Sequence, residues 1–161
     1  MDHSDTLRVG STAPSFALPD ERGAMRRDSE FLERGPMVLL FVPSVWGIMC
    51  NVEMNAVREM HDRFVAANAS VVVITTQSSM ANAPYVEHMR LQFPFLSDFD
   101  GKISAKYGVL FGDEGYMKGR PNRAVFVVDQ GMKVRFCWVG DDPSFEPDYE
   151  AVLAAAIEAA R

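Results

Sequence analysis

Cys50 stands where the apolar run "MVLLFVPSVWGIMC" (residues 37–50) gives way to a helical pattern. The chain has one other cysteine, Cys137. A cysteine at such a junction falls in the first turn of a helix. Backbone N–H groups there have no intrahelical acceptor, and the helix dipole adds partial positive charge. First turns of this kind favour the thiolate, the nucleophilic form of the side chain. Pro43 fixes the turn that leaves the strand. Gly47 lets the backbone approach closely or turn through positive φ. Together these parts make a rigid loop that presents a thiol. A buried structural cysteine is the competing reading of the same stretch.

Other cysteine chemistries fit poorly. A Cys–His hydrolase needs an imidazole within reach. His61 lies three turns further along the same helix, roughly 16 Å from Cys50 by helical rise. His88 falls on another helix and has no supporting motif. A thioredoxin-type exchange site wants a second cysteine three positions on, and that position is Glu53. Two cysteines and three scattered histidines lack the ligand spacing of a structural zinc site.

Arg123 is the second group of interest. The stretch "GRPNRAVFVVD" carries it into an apolar strand. Arginine is rarely buried without a partner. At a strand entrance facing a strand-to-helix loop, it is suited to stabilise a thiolate and the oxygen of a bound substrate. Glu53 lies one helical turn past Cys50 and is a candidate partner that orients Arg123. The plainer alternatives are a rim arginine on a surface carboxylate and a solvated helix glutamate.

Strands and helices must hold these groups in place. "SFALPDERG" reads as a short strand and a turn, and "DSEFLERG" as a short helix capped at Asp28 or Ser29 and stopped at Gly35. "PMVLLFV" and "ASVVVITTQ" are continuous apolar runs, as expected of strands covered on both faces. Between them, Cys50, Met54, Val57, His61 and Phe64 recur at helical spacing and form an inward stripe. "ANAPYVEHMRLQ" predicts a second helix, "FPFLSD" a short strand and "GKISAKYGV" a short helix. "RAVFVVD" and "KVRFCWVG" predict a hairpin around "QGM". The closing helix carries Tyr149, Val152, Leu153, Ala156 and Ile157 as its apolar stripe. Strands alternating with helices, then a hairpin, then a helix, predict an α/β fold with a mixed sheet. The polar, glycine-rich segment "FGDEGYMKGRPN" (residues 111–122) predicts a functional loop at the mouth of a pocket.

The totals narrow the function classes. A chain of 161 residues suffices for one domain, 1–161, with a full core. The net charge of −6 and a pI of about 5.0 leave no basic footprint for nucleic acid. No apolar run reaches membrane-spanning length, and the polar start "MDHSDTLRVG" does not read as a secretory signal, so a cytoplasmic address is the default expectation.

Several segments, in order, resemble the peroxiredoxin family of the alkyl hydroperoxide reductase and thiol-specific antioxidant group. They are "VGSTAPSFALPDERG", "VLLFVPSVWGIMCNVEM", "VVVITTQSS", "FPFLSDFDGKISAKYGV" and "RAVFVVDQGMKVRF", spread over roughly residues 8 to 157. The resemblance implies a thioredoxin-like fold with a central mixed β-sheet flanked by helices. It implies that Cys50 matches the peroxidatic cysteine, Pro43 the motif proline, Arg123 the catalytic arginine and Glu53 the carboxylate after the cysteine. It further implies that Gly47, Trp46 and Met49 are substrate-binding positions. The implied reaction reduces hydrogen peroxide or an organic hydroperoxide and turns Cys50 into a sulfenic acid, with no cofactor and no metal. A homodimer is implied as well.

Two positions depart from the family pattern. The motif places Thr or Ser three residues before the cysteine, and this chain has Gly47. The hydroxyl that positions the peroxide is therefore missing. Its loss opens an alternative reading, a domain with reduced turnover that serves as a redox sensor or binding module. The position five residues after the cysteine, a resolving cysteine in some subgroups, is Asn55. Cys137 is expected inside a strand, as a small buried residue. Recycling then falls to an external thiol of thioredoxin, glutaredoxin or low-molecular-weight type.

Overall fold

The computed structural model describes residues 3–112 and 115–161. The chain runs β1 (Ala17–Pro19), β2 (Met25–Arg27), α1 (Asp28–Phe31), β3 (Met37–Phe41), α2 (Ile48–Ala66) and β4 (Ser70–Thr75). It continues as α3 (Ser79–Met89), β5 (Phe95–Ser97), α4 (Lys102–Lys106), β6 (Ala124–Val128), β7 (Val134–Val139) and α5 (Tyr149–Ala159). Five strands form one sheet in the order β5-β4-β3-β6-β7. β3, β4 and β5 run parallel, while β6 and β7 are antiparallel to their neighbours. This is the expected mixed sheet flanked by helices.

The apolar runs occupy the middle of the sheet because both of its faces are covered. Along β3 and just past it, Val38, Leu40 and Val42 point to one core, with α2, α3 and α5 on that side. Met37, Leu39 and Phe41 point to the other, which holds Phe31, Ile103 and Tyr107. Each such side chain contributes roughly 1.5–3 kcal/mol by leaving water. No helix among the described residues is long and apolar enough to cross a membrane.

Four expectations need correction. A second strand, β2, pairs with β1 as a hairpin. The cap of α1 is Arg27, whose N–H donates to Glu30 Oε1 at 3.4 Å. Asp28 is instead buried and accepts a hydrogen bond from Ser15 Oγ at 2.6 Å. On α5, Ile157 faces solvent and Ala159 is buried, because the inward stripe follows Val152, Leu153 and Ala156. On α2, Cys50, Met54, Val57 and Phe64 are buried, but His61 is only half-buried, against Phe93.

Candidate active site

The register of two strands brings the chemistry together. Phe41 of β3 pairs with Ala124 of β6. Arg123 therefore enters the sheet beside the point where the chain leaves β3 for the loop 42–47. Side chains alternate across a strand. Ala124 belongs to the core on the far face, so Arg123 projects to the near face, where α2 lies. Cys50 and Glu53, three residues apart, share one side of α2. All three are buried, Arg123 to 2% exposure and Glu53 to 0%. The rim arginine and the solvated glutamate are thereby ruled out.

The guanidinium is held on three sides. Its Nη1 and Nη2 donate to Cys50 Sγ at 3.6 and 3.5 Å. Nη1 also donates to Glu53 Oε1 at 2.6 Å. Nε and Nη2 donate to the carbonyl of Pro143 at 3.2 and 3.1 Å. The Arg123 backbone is pinned too. Its N–H donates to Asn122 Oδ1 at 2.8 Å, and its carbonyl accepts from Gly140 N–H at 3.0 Å. Fixed donors of this kind stabilise developing charge without reorganising during the reaction.

Burial pushes the Glu53 carboxyl up from 4.5 to about 7, against the attraction of Arg123. Its second oxygen, Oε2, finds no hydrogen-bond partner among the described residues. Burial alone would lower the Arg123 pKa; the charges of Glu53 and Cys50 outweigh it and raise the value. The guanidinium thus stays charged between the Glu53 carboxyl and the Cys50 sulfur.

The loop before α2 has a different geometry from the one the sequence suggests. Gly47 caps the helix with ordinary extended backbone, at φ −72° and ψ 148°. The left-handed turn falls on Trp46, at φ 68°. That turn swings the indole onto Tyr85 and His88, with ring centroids 5.1 Å away in both cases. Trp46 is half exposed and does not line the cleft beside Cys50. Gln77 Oε1 holds the loop by accepting from Val45 N–H at 2.6 Å.

A cleft of about 630 Å³ opens over the sulfur. Pro43, Gly47, Met49 and Cys50 line it. Tyr116 and Met117 of the glycine-rich loop line it too, as do Pro143 and Arg123. Residues 113 and 114 of that loop lie outside the described residues. Arg120 anchors the loop by donating to the Pro43 carbonyl at 3.4 Å. Of the seven residues singled out in the sequence, Cys50, Arg123, Pro43, Gly47 and Met49 meet at the cleft, Glu53 lies behind Arg123, and Trp46 points away. The Pro143 carbonyl was not legible in the sequence, since "DDPSFEP" has no periodicity that ties it to Arg123. The helix-starting thiol and its cation are arranged to attack an electron-poor atom and to steady charge on what leaves.

Cys137 sits in β7 opposite Phe126. It is half-buried against the core on the far face of the sheet, whereas Cys50 belongs to the near one. The sheet itself separates the two thiols.

Residues 9–137 match the AhpC/TSA family. A Mycobacterium tuberculosis protein named as a peroxiredoxin is 35% identical over 128 residues, covering 80% of this chain and 82% of the relative. The chloroplastic peroxiredoxin Q of Sedum lineare is 30% identical over 142 residues, covering 86% of this chain and 71% of the relative. The crystal structure of peroxidoxin BcpB from Mycobacterium tuberculosis superposes with a TM-score of 0.85 at 33% identity, over 96% of this chain and 99% of the other.

Proposed function

This chain belongs to the AhpC/TSA family of peroxiredoxins, and from that premise we propose that Cys50 is the sulfur that meets the peroxide. The protein is a thiol-dependent peroxidase with a thioredoxin-like fold. One observation carries the assignment: Cys50 Sγ lies in the first turn of α2 and within 3.5–3.6 Å of both terminal nitrogens of Arg123.

The Cys50 thiolate attacks the terminal oxygen of a hydroperoxide in line with the O–O bond. An S–O bond forms and the O–O bond breaks. The electron pair stays on the departing oxygen, which takes a proton and leaves as an alcohol or water. Cys50 becomes a sulfenic acid. Arg123 and the free N–H groups of the first turn stabilise negative charge on the two oxygens. Glu53 and the Pro143 carbonyl act as positioning groups, because they hold the guanidinium and not the substrate. Pro43 shapes the wall of the cleft, and its carbonyl receives Arg120.

The sulfenic acid condenses with an external thiol, releasing water and forming a mixed disulfide. A second thiol then attacks the external sulfur of that disulfide, so the two external thiols become joined and Cys50 leaves as its thiolate. Cys137 takes no part, because it lies on the other face of the sheet. A reducing compartment such as the cytoplasm suits a chain whose two cysteines are both free. Half-exposed Trp46 and Ile48, at 81% exposure, form an apolar rim beside the cleft, and that rim supports a homodimer built there.

The assignment is tested by mixing reduced protein with one equivalent of hydrogen peroxide or cumene hydroperoxide in the presence of dimedone. Peptide masses should place the adduct on Cys50 within seconds. An adduct that forms no faster than on free cysteine, or that forms on Cys137, contradicts it.

A further inference from the structure

Gly47 leaves a space beside the reacting sulfur that nothing in the backbone demands. Its φ and ψ suit any residue. A Cβ built there would lie 3.8 Å from Cys50 Sγ and 4.0 Å from Cys50 Cβ, and it meets nothing closer. Those are ordinary contacts, so the glycine does not relieve a clash. Its effect is on the cleft. The site loses a hydroxyl that could hold a small peroxide, and it gains open volume next to the thiol.

The remaining lining is mostly apolar, with Ser44, Asp142 and Ser144 as its polar members beside Arg123. Ile48, Met49, Met117, Tyr116, Pro43 and Pro143 all border the cleft. Hydrogen peroxide has no apolar part to set against them. It must be held by hydrogen bonds alone, and Gly47 offers it none from a side chain. An organic hydroperoxide can seat its hydrocarbon on the methionines and fill the space at Gly47.

We infer that this cleft is selective for hydroperoxides bearing bulky apolar groups on the peroxide carbon, tertiary alkyl or aryl compounds among them, and discriminates against hydrogen peroxide. Gly47 is the residue that sets this preference. The inference rests on the assignment of Cys50 as the peroxide-reacting sulfur. The step is the one given above: the terminal OH passes to sulfur, the O–O bond breaks, and the alkoxide takes a proton from solvent and leaves as a tertiary alcohol. The peroxide is reduced by two electrons and Cys50 is oxidised by two.

The test is the rate of Cys50 sulfenate formation with cumene hydroperoxide and with hydrogen peroxide. It is run on the wild-type protein, on Gly47→Thr and on Gly47→Val. Each methylene-sized group fitted into an apolar pocket is worth about tenfold, so the wild-type protein should prefer cumene hydroperoxide by about tenfold or more. Gly47→Thr fills the space and supplies a hydroxyl, so it should speed hydrogen peroxide, slow cumene hydroperoxide and cut the ratio by about tenfold. Gly47→Val fills the same space without a hydroxyl, and it should slow cumene hydroperoxide without speeding hydrogen peroxide. A wild-type preference for hydrogen peroxide overturns the inference, as does a ratio that neither variant moves. If neither peroxide oxidises Cys50 in the wild-type protein, the assignment of Cys50 fails as well. Oxidation by both without a preference removes the selectivity alone.

Discussion

Arg123 reaches Cys50 Sγ at 3.5 Å and Glu53 Oε1 at 2.6 Å with one buried guanidinium. A single cation thus serves both the reacting atom and a carboxyl that burial has destabilised. Most of what can be tested about this protein follows from that sharing.

Removing the cation separates rate from stability. Arg123→Met takes away both donors to the sulfur, so sulfenate formation should slow about 10²- to 10³-fold. The buried Glu53 is left without its partner, which costs up to about 3–5 kcal/mol while it stays charged. The double variant Arg123→Met/Glu53→Gln removes that stranded charge. It should recover stability in urea titrations and stay slow. Recovery of the rate along with stability would show that Arg123 acts only through folding.

Glu53 makes stability depend on pH with a definite sign. Its carboxyl is raised to about 7 in the folded protein, from an ordinary 4.5. Between those values the folded state binds the proton that the unfolded chain has lost. Stability contributed by this group is therefore present below about pH 4.5 and is lost as pH rises through about 7, by as much as about 3 kcal/mol. Glu53→Gln does not titrate. The difference in unfolding free energy between wild type and Glu53→Gln should shift against the wild type from pH 5 to pH 7.5. A difference that stays flat over that range refutes the shift.

Gly47 caps α2 without a side chain. Gly47→Ser adds a hydroxyl acceptor for a first-turn N–H group and restricts the unfolded chain. The change should stabilise the protein by about 0.5–1 kcal/mol. The midpoint of urea unfolding should rise. A lower midpoint would mean that the loop at Trp46–Gly47 cannot accept a side chain.

Cys137 lies on the far face of the sheet from Cys50. Cys137→Ser should leave peroxide-driven oxidation of external thiol unchanged. Intact-mass measurement after peroxide treatment without reductant should show added oxygen on the wild-type protein. Loss of two hydrogens within one chain would mean that the two sulfurs meet.

The sequence made the sheet and the main helices readable because their signals are local. β3 and β6 are unbroken apolar runs, and α2 carries a long helical stripe. β2 was not readable, since "MRR" is exposed or half-exposed and has no apolar face. The site was half legible. Cys50, Arg123 and Glu53 stood out as residues in unusual places, and their pairing follows from the register of β3 and β6. The Pro143 carbonyl left no trace, because any residue type supplies a carbonyl. Glycine misled the reading of the loop. Positive φ falls on Trp46 beside Gly47 and on Met132 beside Gly131, so in both turns the neighbour takes the left-handed position. At Trp46, packing on Tyr85 and His88 helps to offset the steric cost of that conformation.

The central claim is that Cys50 turns over. It is tested most directly by following cumene hydroperoxide consumption with excess dithiothreitol, for the wild-type protein and for Cys50→Ser. Many equivalents of peroxide should be consumed per wild-type chain, and none above background by Cys50→Ser. Consumption that stops after one equivalent would contradict the account and leave a sulfur that senses peroxide once.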